Sequence, residues 1–318
     1  MSVYTKVERS ELEAFLRRYD CGTLVEHVGI SAGIENTNYF VTTTAGEYVL
    51  TLFESHAPEE LHYFLDLMAH QAEAGIPTAH PLADAEGRYL QHLNGKPAAL
   101  VARLPGKSLE QPGPDHCREI GAWLARFHRA GQNFDQERGN DRGPQWWWQT
   151  RDRLDDHLTA DERDLLESEL AFQRSHRGDD LPRGVIHADL FRDNALFEDH
   201  RLTGIIDLYY ACNDVLLYDL AVTVNDWCSR DDGTLDFALV EALVSAYHAE
   251  RPLTEAEGRD WPVMLRAAAL RFWLSRLQDQ HFPKEGEMTH IKDPGIFRTI
   301  LEHRRDREGL IREHWVAA

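Results

Sequence analysis

The chain has 318 residues, 42% of them hydrophobic and 10% aromatic, which is the make-up of a globular enzyme and excludes a disordered chain. Its formal net charge of −20 repels nucleic acid phosphates and anionic membranes, so neither is expected as a partner. No run approaches the ~18 apolar residues of a membrane span, and Met1 to Ser10 is polar with no positive stretch before an apolar core, so the expected location is cytoplasmic, without a secretory leader.

Ser10-Glu11-Leu12-Glu13 has the form of a capping box, and Leu12, Phe15, Leu16 and Tyr19 follow at helical spacing, which predicts a short opening helix. Residues 24–53 read as a β-meander with strands at 38–43 and 47–53, a turn at Ala45-Gly46, and a glycine-bearing loop over 29–38. Pro58 opens an amphipathic helix through Leu61, Phe64, Leu65, Met68 and Ala72, stopped by Gly75 with Pro77 beyond. Residues 97–104 form an apolar run expected to be a buried strand, and Pro105-Gly106 then breaks the chain. Beyond the break the pattern is mainly helical, with helices predicted over 115–130, 161–177, 220–227, 236–250, 262–280 and 295–309 and short strands over 184–187, 195–198 and 202–206. A β-rich first third followed by a helical remainder predicts an α+β protein with two lobes, 1–104 and 105–318. Cys21, Cys117, Cys212 and Cys228 form no Cys-x-x-Cys pair, so buried, reduced thiols are expected in place of a zinc or redox motif.

The chemistry concentrates in His187-Ala188-Asp189-Leu190-Phe191-Arg192-Asp193-Asn194, which follows the apolar strand Gly184-Val185-Ile186. Asp207 ends a second apolar strand, Gly204-Ile205-Ile206. Two acids and an amide at strand ends suit a site for metal and phosphate. A hydroxyl nucleophile needs a carboxylate to take or orient its proton, the role expected of Asp189. Mg²⁺ prefers oxygen ligands, a few carboxylates plus substrate phosphates, which Asn194 and Asp207 can supply.

The spacing His-x-Asp with Asn five residues after the Asp resembles the kinase catalytic loop. The fuller form, His-Ala-Asp-Leu-Phe-Arg-Asp-Asn followed by Ile206-Asp207-Leu208-Tyr209-Tyr210-Ala211-Cys212-Asn213-Asp214, resembles the aminoglycoside phosphotransferase-like superfamily, and within it the bacterial homoserine kinases of that fold. Gly33-Ile34-Glu35-Asn36-Thr37-Asn38-Tyr39, Tyr48-Val49-Leu50-Thr51-Leu52-Phe53-Glu54, Gly95-Lys96-Pro97-Ala98-Ala99-Leu100 and Leu270-Arg271-Phe272 are similar to that family in the same order. The resemblance implies a two-lobed protein-kinase-like fold and phosphorylation of L-homoserine from ATP with Mg²⁺. It implies that Gly33, Glu35 and Asn36 lie on the phosphate side, and that the adenine edge bonds backbone near Val101 to Arg103. The chain departs from the broader kinase pattern at Thr51, which stands where a phosphate-contacting Lys is expected.

Several residues keep two readings. His187 is a backbone brace or a base, and Asp193 a support for the metal site or a solvated loop acid. Asp219 reads as a brace at a helix start, and Asp214 as a ligand candidate. Trp146-Trp147-Trp148 is core packing or a cage for a quaternary amine. Arg271 and Arg276 lie on an otherwise apolar helix and need anions, either an internal Asp or the substrate carboxylate. Another small-molecule kinase of the superfamily, acting on choline, an aminoglycoside or a sugar, and a nucleotide-binding module without turnover are the alternatives. Oligomeric state is not legible in the sequence.

Overall fold

Alternation along the early strands writes the first sheet. In the computed structural model, which describes residues 5–30, 36–283 and 292–315, β1 (Leu24–Gly29), β2 (Asn36–Thr43), β3 (Glu47–Phe53), β4 (Gln91–Leu93) and β5 (Lys96–Ala102) form an antiparallel sheet in the order β1-β2-β3-β5-β4. Along β2, Thr37, Tyr39, Val41 and Thr43 are buried and Asn38, Phe40 and Thr42 are half-buried. The buried face packs on helix α1 (Arg9–Leu16) through Leu12, Phe15 and Leu16. The opposite face aligns Asn38, Thr51 and Ala99 as neighbours across three strands, and beside them Phe40, Val49 and Val101.

Helix α1 starts earlier than the Ser10 capping box predicts. Glu11 reaches back to accept the Glu8 N–H at 2.8 Å, so Ser10 lies inside the first turn. Helix α2 (Pro58–Glu73) keeps its expected start, and Gly75 just beyond it takes φ +81°, a left-handed stop that glycine adopts without a Cβ clash.

The chain up to Gly106 clusters with Thr203–Tyr209 as one compact unit, and Lys107–Leu202 clusters with the described residues from Tyr210 onward as the other. The second unit holds α3 (Pro114–Gly131), α4 (Pro144–Leu154) and α5 (Ala160–His176), then β6 (Arg183–Ile186) and β7 (Ala195–Glu198). Strand β8 (Arg201–Ile205) leads into the segment that joins the first unit, and β9 (Cys212–Val215) pairs antiparallel with β6. Helices α6 (Leu216–Trp227), α7 (Phe237–Glu250), α8 (Glu255–His281), α9 (Pro294–Asp306) and α10 (Glu308–Glu313) complete it. Helices α3 and α7 approach at Gly121, where an added Cβ would lie 2.1 Å from the Leu243 carbonyl oxygen.

Helix α8 begins well before the predicted 262. Thr254 accepts the Glu257 N–H at 3.2 Å and Glu257 accepts the Thr254 N–H at 2.8 Å, a capping box that sets the start and leaves Pro262 inside the helix. Helix α4, which carries the tryptophan triplet, and strand β9 are elements the sequence pattern did not mark. The four cysteines are free and buried, as expected. Among the described residues no helix is long and apolar enough to cross a membrane.

Candidate active site

Strand β6 delivers the chain into His187, Ala188 and Asp189, and the turn is left-handed: Ala188 has φ +64°. For a residue with a Cβ that conformation costs about 1–2 kcal/mol, so neighbouring contacts must hold it. Asp219 does so. Its carboxylate, fully buried in the first turns of α6, accepts the N–H of His187 at 2.7 Å and of Ala188 at 2.8 Å. Its other contact is His128 Nε2 on α3, at 3.0 Å. Burial opposes ionisation of Asp219, but the His128 hydrogen bond and charge and the His187 N–H outweigh it and lower its pKa. Asp219 is thus a brace, as expected, but it braces the turn at His187 and Ala188 and not its own helix start. His187 is buried too, and its Nδ1 accepts the Asp189 N–H at 3.3 Å, in keeping with a backbone brace.

Asn194 closes a 3₁₀ turn spanning Arg192–Asn194, and its Nδ2 donates to the Asp189 carbonyl at 2.9 Å. With the amide nitrogen committed there, Oδ1 is the atom left to coordinate a cation. Arg271, on α8 and only 4% exposed, reaches Asp189 Oδ1 at 3.6 Å, beyond hydrogen-bond length. Its guanidinium lies 3.7 Å from the Phe272 ring centroid and 5.2 Å from that of Tyr210. Asp189, Asn194 and Arg271 therefore converge. Tyr210, beside Arg271, was not singled out from the sequence.

Asp207 belongs to the first unit, is exposed, and has φ +65° at the end of its strand. The strand is fixed by the Ile205 N–H donating to Pro77 O at 2.8 Å and by Thr78 Oγ1 donating to Ile205 O at 3.1 Å. Two residues on, Tyr209 packs edge-on against Phe53 and Phe64, with centroids 5.1 and 5.9 Å away. Burial, then the Asp207 charge, push the Tyr209 phenol up, and a hydrogen bond with Thr51 works the other way. Thr51 is buried, and its hydroxyl donates to Asn38 Oδ1 at 2.8 Å. The position where a Lys is expected in kinases thus ties β3 to the turn after Asp207.

Gly33 and Glu35 lie outside the described residues. Asn36, at the start of β2, is buried, and its side-chain oxygen has no partner among the described residues. At the end of β5, the Ala102 N–H donates to His80 O at 2.9 Å and the Arg103 N–H to Glu47 O at 3.2 Å. The Arg103 guanidinium stacks on Phe40 at 4.2 Å, and Val101 is buried.

Other expected residues are engaged in contacts of their own. Asp214, buried on β9, accepts from Asn140 Nδ2 at 2.8 Å and Arg183 Nη2 at 3.0 Å, with Arg177 Nη2 at 3.4 Å. Arg276 donates to the Asp293 carbonyl at 2.9 Å and stacks on Phe297 at 4.5 Å; burial lowers its pKa. Asp193 pairs with Lys292 at 3.1 Å. Trp147 is buried, with Nε1 donating to Arg142 O at 2.7 Å, while Trp146 and Trp148 lie against Arg142 and Arg151, so internal cations cover the rings. His128 went unmarked by sequence reading, although its spacing from Gly121, Leu124 and Ala125 puts it on the buried face of α3.

Comparison with known proteins agrees with this fold. The model of a phosphotransferase enzyme family matches residues 26–253. The chain is 52% identical over 318 residues to the homoserine kinase of Methylobacillus flagellatus, covering 100% of both chains. It is 47% identical over 317 residues to the homoserine kinase of Cupriavidus pinatubonensis, covering 96% of each. Among solved structures, an amicoumacin kinase in complex with AMP-PNP and Ca²⁺ superposes with a TM-score of 0.70 at 14% identity over 96% of this chain and 94% of that one, a likeness of fold. A β-rich N-terminal sheet, a helical C-terminal unit and a loop presenting Asp189 and Asn194, together with full-length identity near one half, place the chain in the phosphotransferase enzyme family and, within it, among the homoserine kinases.

Proposed function

We propose that the chain transfers the γ-phosphoryl group of ATP to the γ-hydroxyl of L-homoserine, giving O-phospho-L-homoserine and ADP, a step of threonine biosynthesis. The observation that carries the acceptor is the 52% identity over the whole chain to a homoserine kinase, because the catalytic loop alone fixes only the reaction.

Asp189 takes the hydroxyl proton as the new oxygen–phosphorus bond forms and the bond from the γ-phosphorus to the ADP oxygen breaks. Arg271 pairs with the α-carboxylate of the acceptor. Its stacking on Phe272 and Tyr210 fixes the guanidinium plane that bidentate pairing needs, and its 3.6 Å separation from Asp189 leaves its donors for the substrate. Asn194 Oδ1 and the exposed Asp207 carboxylate are oxygen donors of the kind Mg²⁺ prefers, and they would hold it. Bound Mg²⁺ would supply positive charge to the ATP phosphates.

Asn36 and the loop carrying Gly33 and Glu35 take the phosphate side. The adenine edge rests near Val101 and Arg103. Since the N–H groups of Ala102 and Arg103 are already donated, Leu104 is the next N–H able to meet it. Asp214 and Arg276, engaged in contacts of their own, support the site without touching substrate.

Incubation with MgATP and L-homoserine, followed by phosphorus NMR, tests this reading. A phosphomonoester of homoserine is expected. Asp189→Asn is expected to keep nucleotide binding while turnover falls roughly 10²- to 10⁴-fold. Absence of the product, or Asp189→Asn turning over within a few-fold of wild type, would contradict it.

A further inference from the structure

We infer that Lys292 is a catalytic residue for phosphoryl transfer, donating from its ammonium to an oxygen of the phosphoryl group as it passes from ATP to the acceptor. The inference rests on the phosphoryl-transfer reading above.

A phosphoryl group in transfer carries negative charge on oxygens that neither the base nor the departing ADP neutralises, and a positioned Lys, Arg or Mg²⁺ can meet that charge. Thr51 stands where a phosphate-contacting Lys is expected, and its hydroxyl is donated to Asn38. The cations that reach the catalytic loop within the second unit are therefore the ones to weigh. Arg271 lies beside Asp189, at the base. Arg192 is tied to Asp226 at 3.2 Å and to the Glu110 carbonyl at 2.9 Å. Arg276 gives a donor to the Asp293 carbonyl and lies against the Phe297 ring. Lys292 differs from all three in its place and its freedom.

Its Nζ lies 3.1 Å from Asp193 Oδ2 and 5.6 Å from the centroid of the Phe191 ring. Phe191 follows the base by two residues, and Asp193 immediately precedes Asn194. The ammonium is thus held against the stretch of loop between the base and the candidate metal donor, and the transferring group must also lie between the two. An ammonium has three donors, and Asp193 takes one. The Lys292 and Asp193 side chains are 48% and 59% exposed, so the pair contributes little to stability and can share its cation with a phosphoryl oxygen.

The backbone beside Lys292 is fixed. The Asp293 carboxylate caps α9 by accepting the Gly295 N–H at 2.7 Å. Phe297, one turn on, is buried against Phe191 and Phe272, with centroids 5.8 and 5.1 Å away. Farther along α9 the buried Arg304 donates to Asn225 Oδ1 at 3.0 Å and to the Gly233 carbonyl at 2.9 Å. The helix entry therefore presents Lys292 to the loop from a firm base, with its side chain left to adjust.

An ion pair that only pins the loop would also join Lys292 to Asp193, and the test separates the two roles. Lys292→Met removes the charge and keeps much of the stem. Lys292→Arg keeps the charge. Asp193→Asn removes the carboxylate and leaves the ammonium. For each variant and wild type, kcat and KM for ATP and for L-homoserine are measured. Titration calorimetry gives the affinity for MgADP with and without aluminium fluoride, a mimic of the transferring phosphoryl group.

Lys292→Met is expected to lower kcat by about tenfold to a hundredfold with both KM values within about threefold, because the lost contact is made in the transition state. It is expected to bind MgADP as wild type does and to lose about tenfold of the affinity that aluminium fluoride adds. Lys292→Arg is expected to recover most of kcat, and Asp193→Asn to cost less than about fivefold. Lys292→Met with wild-type kcat would overturn the inference, and so would an undiminished gain from aluminium fluoride in that variant. Asp193→Asn as costly as Lys292→Met would overturn it too, by assigning the effect to the ion pair. Wild type in the same series keeps the readings distinct. No gain from aluminium fluoride counts against phosphoryl transfer, a gain without phosphorylation of L-homoserine counts against the acceptor, and a silent Lys292→Met counts against Lys292.

Discussion

Arg271 and Arg276 are chemically alike and lie five residues apart on one helix, yet their surroundings differ. The first faces Asp189 between two aromatic rings, and the second is turned to the Asp293 carbonyl. Five residues advance about 140° around a helix, so they project to different sides. Arg271→Met is expected to lower kcat/KM for L-homoserine by about a hundredfold, because a bidentate charge-assisted pair is lost, and to leave ATP affinity nearly unchanged. Arg276→Met is expected to change kcat/KM by less than about threefold. Parallel steady-state kinetics on both variants decide it, and equal losses would remove Arg271 from carboxylate recognition. At this scale the sequence marks Asp189, Asn194 and Asp207 through the spacing of the loop and the strand ends, and the bond from Asn194 to the Asp189 carbonyl follows from that spacing. Asp219 was legible as a brace, but its target was not. Its partner His128 is 91 residues away, and only the docking of α3 against α6 brings the two together.

Among elements, the docking of α3 on α7 depends on a missing side chain. A Cβ at Gly121 would meet the Leu243 carbonyl at 2.1 Å, a contact backbone cannot relieve without moving a helix. Gly121→Ala is therefore expected to lower stability by about 1–3 kcal/mol despite the better helix propensity of alanine, as denaturant unfolding would show. A stabilised variant would mean the helices yield easily. The same interface holds His128 and Tyr247, and it titrates. Burial lowers the His128 pKa below 6.5, partly offset by Asp219, and Tyr247, Arg251, Glu257 and His187 surround the pair. The unfolded chain thus takes the His128 proton first as pH falls, so this stability is present above the unfolded value and lost below it. Thermal midpoints are expected to drop between about pH 7.5 and pH 5.5, less steeply in His128→Gln. An equally steep drop in that variant would assign the loss to other groups. Element boundaries were legible where a local signal was unambiguous, as at Pro58 and Gly75. They were misread where proline outweighed a capping box, as at Thr254 and Pro262. Helix α4 escaped because its exposed positions are polar and its tryptophans contact arginines, which hides the apolar period.

For the whole molecule, composition and order gave the α+β class and the sequence of a sheet followed by helices. The return of Thr203–Tyr209 to the first unit was not legible, because no local pattern marks a strand end that packs with residues more than a hundred positions earlier. The catalytic parts are common to kinases with many acceptors, so the claim most exposed to test is the acceptor. Homoserine places its hydroxyl one methylene farther from the carboxylate than serine does. In the proposed pairing of the carboxylate with Arg271, that length sets whether the oxygen meets Asp189. Competition kinetics with L-homoserine, L-serine, choline and kanamycin under identical MgATP test this most directly. The expected result is efficient phosphorylation of L-homoserine, poor use of L-serine and none of choline or kanamycin. Equal or better use of choline or kanamycin would contradict the homoserine assignment and leave phosphoryl transfer standing.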